Sequence, residues 1–317
     1  MEWSLQRGTR RRWGRTLAVT AFLSLAGLGL VGCTPLDGDG GATSLPEQPS
    51  ILTDPSSVAD SAVPPATTTG SNQLPVYWLG ENNGSSLLYR EFLKGEKGGD
   101  PIAAAVKAMT TNEALDPDYF GSWSPADTVS TSISPGNIIT VDISADAFSA
   151  KIDEGSAYRA VQQLVYTATA AAANAGLVSG GDPSSVVVLV DGVAGFNAFG
   201  HIELGSQLQR DTRLMAPIWI IEPQHGETTD QSTLSVSGSG LAENSVLSWR
   251  IDEVVGDQLE TYRSGTVGLD SGPGSPGLFE FTIALLPGEY EVSVFDAAQG
   301  TQDGQEIGAD TKRVVIQ

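Results

Sequence analysis

The chain has 317 residues, a formal charge of −21 and a single cysteine, with 40% hydrophobic residues. So acidic a surface repels phosphate backbones and anionic headgroups, which argues against nucleic acid as a partner. One cysteine allows neither an internal disulfide nor a cysteine-based zinc site. The length is enough for two domains with cores of their own.

In chain order, residues 1–16 carry Arg7, Arg10, Arg11, Arg12 and Arg15 against Glu2, and Leu17 to Gly32 is uncharged. A basic start followed by an apolar run shorter than the roughly 20 residues of a membrane span predicts a secretory signal peptide over 1–32. Leu30-Val31-Gly32-Cys33 resembles the bacterial lipobox. The resemblance implies diacylglycerol on Cys33, cleavage between Gly32 and Cys33, and a mature protein held on the extracytoplasmic face of the cell membrane. Thr9 to Trp13 partly resembles a twin-arginine export signal, although Gly14 departs from that pattern. Residues 1–32 contribute +4, so the expected mature chain carries −25.

Residues 33–73 are dominated by Pro, Gly, Ser, Thr and Asp, and predict a disordered tether that cannot bury enough apolar surface to offset its ordering entropy. Order is expected from Leu74. LPVYWLG and SLLYREFLKG, separated by Asn-Asn-Gly, predict a hairpin. Asp100-Pro101 predicts a helix start, running to about Thr111. NEALDPDYFGSWSPAD reads as loop, and VSTSI and NIITVDIS as strands around Ser-Pro-Gly. Ala157, Ala160, Val161, Leu164, Val165, Ala168, Ala171 and Ala172 form one helical stripe, with Gln162, Gln163 and Thr167 off it. Ser156 is the expected N-cap of this helix and Gly176 its C′ residue. SSVVVLVDG predicts a central strand buried on both faces. Residues 74–200 therefore predict an α+β domain, a mixed sheet with two main helices.

A linker is expected over 201–216. From Pro217 the chain turns to short alternating runs punctuated by Gly and Pro, including Leu247, Trp249 and Ile251 and then Phe279, Phe281, Ile283 and Leu285. This predicts an all-β sandwich over 217–317.

Tyr77-Trp78-Leu79, Ile139 to Ser144, the helix segment Ala160 to Thr169 and the strand Val187 to Gly192 together resemble the GerMN domain of sporulation and spore germination proteins. Pro217 to Gly226, with Val236-Ser237-Gly238 and Gly277-Leu278-Phe279, resembles the immunoglobulin-like domain often found downstream of it. The resemblance implies an envelope lipoprotein of two passive modules and carries no catalytic set.

Chemistry is sparse. The two histidines, His201 and His225, sit beside glycines and read as loop residues rather than ligands or catalysts. No phosphate loop, dinucleotide motif or nucleophile elbow occurs, so no cofactor is expected. The acidic groups Asp252, Glu253, Asp257 and Glu260, and Asp296, Asp303 and Glu306, could gather around Ca²⁺ but read as solvated charge, and no metal is expected. Trp123, Tyr119 and Phe120 lie in the loop-like stretch and are the candidates for a partner surface. The expected function is a lipid-anchored, non-enzymatic binding or assembly module for other envelope proteins. The alternatives are a glycan- or peptidoglycan-binding lipoprotein and an acid-pair cell-wall hydrolase.

Overall fold

The computed structural model describes residues 73–96, 98–178, 183–297 and 306–317. The expected leader, Gly32 and Cys33, the expected tether except Gln73, and Asp303 lie outside the described residues.

Strands β1 (Gln73–Asn82) and β2 (Ser85–Lys94) form the expected hairpin, with Tyr77 opposite Arg90. Asn83 and Gly84 turn it with φ of 49° and 78°, the left-handed pair that a two-residue hairpin matched to strand twist requires. Helix α1 (Pro101–Thr111) follows, and Asp100 caps it by accepting from the N–H groups of Ile102 at 2.9 Å and Ala103 at 3.1 Å. The stretch read as loop contains a two-residue strand, β3 (Tyr119–Phe120), paired with Leu79 and Gly80 of β1. Strands β4 (Val129–Ser134) and β5 (Ile138–Ile143) form a second hairpin.

Helix α2 (Glu154–Asn174) is buried nearly all round, not along one stripe. Gln162, Gln163 and Thr167 are buried too, because each meets backbone groups of another segment. Gln163 Nε2 donates to the Tyr77 carbonyl at 2.8 Å, and the Tyr77 N–H donates to Thr167 Oγ1 at 3.1 Å. Gln162 Nε2 donates to the Gln209 carbonyl at 3.1 Å and its Oε1 accepts from the Asp211 N–H at 2.9 Å. The N-cap is Asp153 rather than Ser156, and its side chain accepts from the Ser156 N–H at 3.0 Å. Gly176, at φ 66°, takes the expected position past the helix end. Asp153→Ala is expected to lower stability by about 1 kcal/mol, the usual cost of a lost cap. Ser156→Ala should cost much less, and equal urea midpoints for the two variants would contradict the assignment.

Strand β6 (Ser185–Val190) pairs parallel with β5, in a sheet ordered β4-β5-β6. It is an edge strand and not the expected central one. Val186, Val188 and Val190 are buried and Val187 and Leu189, on the other face, half-buried; isolated bridges join Val186 to Leu208 and Val190 to Val193. A short ladder joins β7 (Asn197–Ala198) and β8 (Ile202–Glu203). The segment expected as linker is packed: Leu204 and Ala216 are buried, and the Ala216 N–H donates to the Leu88 carbonyl at 3.0 Å.

The rest is a two-sheet β-sandwich. One sheet holds β14 (Gly277–Ala284), β11 (Thr233–Gly240) and β9 (Ile218–Glu222) in that order. The other runs β10 (Glu227–Thr229), β16 (Glu306–Ile316), β15 (Gly288–Ala297), β12 (Val246–Val255) and β13 (Gln258–Gly268). The fold is thus an α+β part followed by an all-β sandwich. Strand β9 belongs to two cores. Ile218 and Ile220 face the sandwich interior, while Trp219 and Ile221 join the core of the α+β part. A strand covered on both faces must be apolar at every position, which is why Ile218 to Ile221 shows no alternation. Among the described residues no helix is long and apolar enough to cross a membrane.

Candidate functional site

The inward face of β16 is apolar at Val314 and Ile316 but charged at Lys312 and Asp310, two and four residues before Val314. Period-two alternation therefore drives an ammonium and a carboxylate into the interior, where each needs partners. The partners come from the α+β part. Lys312, 1% exposed, places Nζ 2.7 Å from Asp116 Oδ2, 2.7 Å from Tyr119 Oη and 3.1 Å from Asp310 Oδ1. Tyr119 donates its hydroxyl proton to Asp310 Oδ1 at 2.5 Å, and the ammonium lies 4.2 Å from the centre of its ring. Asp310 Oδ2 accepts from the Ile220 N–H at 2.6 Å, which ties the same carboxylate to β9.

Glu91 of β2 holds the loop bearing Asp116. Its two oxygens accept from the N–H groups of Leu115 and Asp116, both at 2.8 Å. Tyr89 stacks on Tyr119 with ring centres 4.7 Å apart. Gly80 is the residue that permits this stack, because a Cβ there would come 2.8 Å from the Tyr89 ring and 3.0 Å from that of Tyr119. His225 Nδ1 lies 3.4 Å from Asp116 Oδ2 without making a hydrogen bond. His201 sits elsewhere, its Nε2 3.0 Å from the Ile152 carbonyl.

Burial lowers the pKa of Lys312, but the charges of Asp310 and Asp116 more than reverse this and hold it above the ordinary lysine value. Burial, followed by the charge of Asp310, holds Tyr119 well above an ordinary phenol. Burial pushes Tyr89 up to about 12 and raises Glu91 above the usual carboxylate range. Lysine and tyrosine values raised in the folded state stabilise fully below the unfolded values near 10, and that stability is lost as pH rises through the folded ones. Stability is therefore expected to hold up to about pH 10 and then to fall, Tyr89 alone accounting for about 2 kcal/mol by pH 12. Urea midpoints measured from pH 8 to 12, with tyrosinate absorbance read alongside, test this. Tyrosinate appearing for every tyrosine before unfolding would contradict it.

The loop that carries Asp116 and Tyr119 inward also lines a groove of about 440 Å³ on its outer side. Of the three partner-surface candidates, Tyr119 is buried and consumed by the ion network, which removes it from an exposed platform. Trp123 is half-buried, edge-on to Phe148 at 5.0 Å and Phe199 at 5.2 Å. Phe120 is 41% exposed. All three line the groove, with Trp78 and Met109. Among the described residues no group of three or more aspartate, glutamate or histidine side chains gathers to hold a metal. Asp252 and Glu306 instead pair with Arg250.

Asp116, Asp310, Lys312 and Glu91 were not singled out from sequence. The available signal was the pair of charges on an otherwise apolar strand face.

Residues 75–194 match the family model Germane, described as sporulation and spore germination. Residues 75–194, within the α+β part, thus form a Germane domain. Solved structures with similarity include the tandem GerMN domains of the sporulation protein GerM from Bacillus subtilis, at 18% identity and a TM-score of 0.34. That alignment covers 45% of this chain and 47% of the other, so the chain spans about half the length of the GerM structure. WR4, a C. elegans MSP family member, aligns at 10% identity and a TM-score of 0.20, over 32% of this chain and 99% of its own. The comparison with curated proteins gave no match. The Germane domain links the chain to sporulation and germination proteins. It supplies Asp116, Tyr119 and Glu91 to the joint with the sandwich.

Proposed function

We propose that the chain is a lipid-anchored envelope protein whose Germane domain and sandwich act together as one non-enzymatic binding or assembly module. The observation that supports this reading is the joint. Its ionisable groups are the densest buried set among the described residues, and they are satisfied by one another and by backbone N–H groups. A catalytic set needs groups that reach a substrate, whereas these hold two folded parts in a fixed relation. A rigid pair of modules presents a larger preformed surface than either part and loses less entropy on binding. The anchor rests on the lipobox resemblance at Cys33.

The test joins both halves of the reading. Crosslinking in cells, followed by isolation of the protein from membranes, is expected to yield reproducible protein partners. Cys33→Ala is expected to accumulate as uncleaved precursor. A variant processed and retained on membranes as before would refute the anchor. Crosslinking that returns no reproducible protein would refute the binding role.

A further inference from the structure

A strand at the edge of a sheet shows a row of unpaired backbone groups, and proteins blunt such edges with charge, a bulge or a cover. Among the described edge strands longer than three residues, all but one carry such a device. β2 is bridged at Leu88 by Met215, and β6 at Val186 by Leu208. β13 has a register shift that leaves Tyr262 as a bulge and carries Glu260 and Arg263, and β14 carries Glu280. On β9 the Ile220 N–H is held by Asp310. The exception is β4, which reads VSTSIS, with no charge, no register shift and no bridge to a further segment.

The ladder shows which groups of β4 are free. The Ser144 N–H donates to the Thr128 carbonyl. Antiparallel bonds recur at every second residue, so Ser130, Ser132 and Ser134 direct their backbone groups at β5, and Val129, Thr131 and Ile133 direct theirs outward. The strand is close to a palindrome about Thr131, with a serine on either side and then the β-branched Val129 and Ile133. A second copy related by a twofold axis through Thr131 therefore meets like with like. Thr131 lies opposite the copy's Thr131, Val129 opposite the copy's Ile133, and Ser130 opposite the copy's Ser132. Each outward-directed residue then exchanges both backbone bonds, and Ile133, 36% exposed, gains an apolar neighbour. Pairs of β-branched and hydroxyl side chains stabilise a ladder, and no like charges stand opposite one another within the strand. This match of a strand to itself, in spacing and in residue type, singles out a second copy of the chain as the occupant.

We propose that β4 pairs antiparallel with β4 of a second copy, joining two three-stranded sheets into one continuous sheet. The pairing adds a self-association surface to the binding-module reading and stands without it.

The test uses the full-length protein, isolated from membranes in neutral detergent and followed by sedimentation velocity over a concentration series. A reversible monomer–dimer equilibrium is expected. Thr131→Pro removes a donor that points away from β5, a place where an edge strand tolerates proline, and is expected to abolish the dimer. Ile133→Lys sets a charge against Val129 at both symmetric positions of the ladder and should weaken the dimer about tenfold. Each chain carries −21, and Asp100, which accepts from the Thr131 hydroxyl, lies near the axis, so added salt should strengthen the pair. In cells, a photoreactive residue in place of the exposed Ser132 should crosslink the chain to itself. A protein that stays monomeric at every concentration, a dimer indifferent to both substitutions, or a photo-adduct formed only with a different protein overturns the proposal. A monomer that still returns reproducible envelope partners overturns the pairing and leaves the binding-module reading intact.

Discussion

Lys312→Met is expected to destabilise the folded chain by about 3–5 kcal/mol, the cost of leaving a buried charge without its partner. Among the described residues the ammonium is the one cation within hydrogen-bond reach of both Asp116 and Asp310, and both carboxylates are nearly inaccessible to water. Methionine fills a similar volume, so the loss reflects charge rather than a cavity. Asp310 keeps the N–H groups of Ile220 and Thr311, and Asp116 keeps that of Asp118 at 3.1 Å. Those bonds limit the penalty without removing it. Urea titrations of both proteins at pH 7 measure this. A deficit below about 0.5 kcal/mol would falsify the assignment of the ion network as the lock between the two parts.

The regular elements were legible because their signals are local. Asn83-Gly84 demands a two-residue turn whatever surrounds it, and Asp100-Pro101 starts a helix by its own chemistry. The alanine-rich stripe identified α2, but the burial of Gln162, Gln163 and Thr167 did not follow from it. Those side chains are buried because β1 and residues 209–211 offer backbone partners, and strand pairing 90 residues away leaves no periodic trace in the helix. The edge position of β6 was hidden for a related reason: Leu208 and the half-covered outer face keep the strand apolar, and composition cannot tell a covered edge from a central strand. The joint was hardest to read. Asp116 and Lys312 are 196 residues apart in sequence, so only the anomaly of two charges on the inward face of β16 hints at it. The aromatic loop stands out in the sequence because Tyr119, Phe120 and Trp123 fall in a stretch with no strand or helix period. The structure divides β3 into an inward Tyr119 and an outward Phe120, because it pairs with β1 for just two residues and alternates across them, while Trp123 beyond it packs against the core.

That division has an energetic counterpart at β9. Trp219→Ala is expected to cost about 3–5 kcal/mol, as truncation of a buried large aromatic usually does. Trp219 is 4% exposed and lies in the Germane core with Ile221, although its strand belongs to the sandwich. Its indole N–H has no partner among the described residues, so its removal orphans no polar group there and the cost is packing. Ile220→Ala, on the opposite face of the same strand, removes side-chain volume from the sandwich core and should cost about 2–5 kcal/mol. The two parts share this strand and the Lys312 network, so unfolding one exposes apolar surface and unpaired charge on the other. Both variants should therefore lower a single transition, seen at the same urea concentration by tryptophan fluorescence and by far-ultraviolet circular dichroism. If Trp219→Ala instead separates the two probes, with the helical signal lost first and the sandwich intact, the Germane domain and the sandwich are independent folding units, and β9 is a boundary rather than a shared wall.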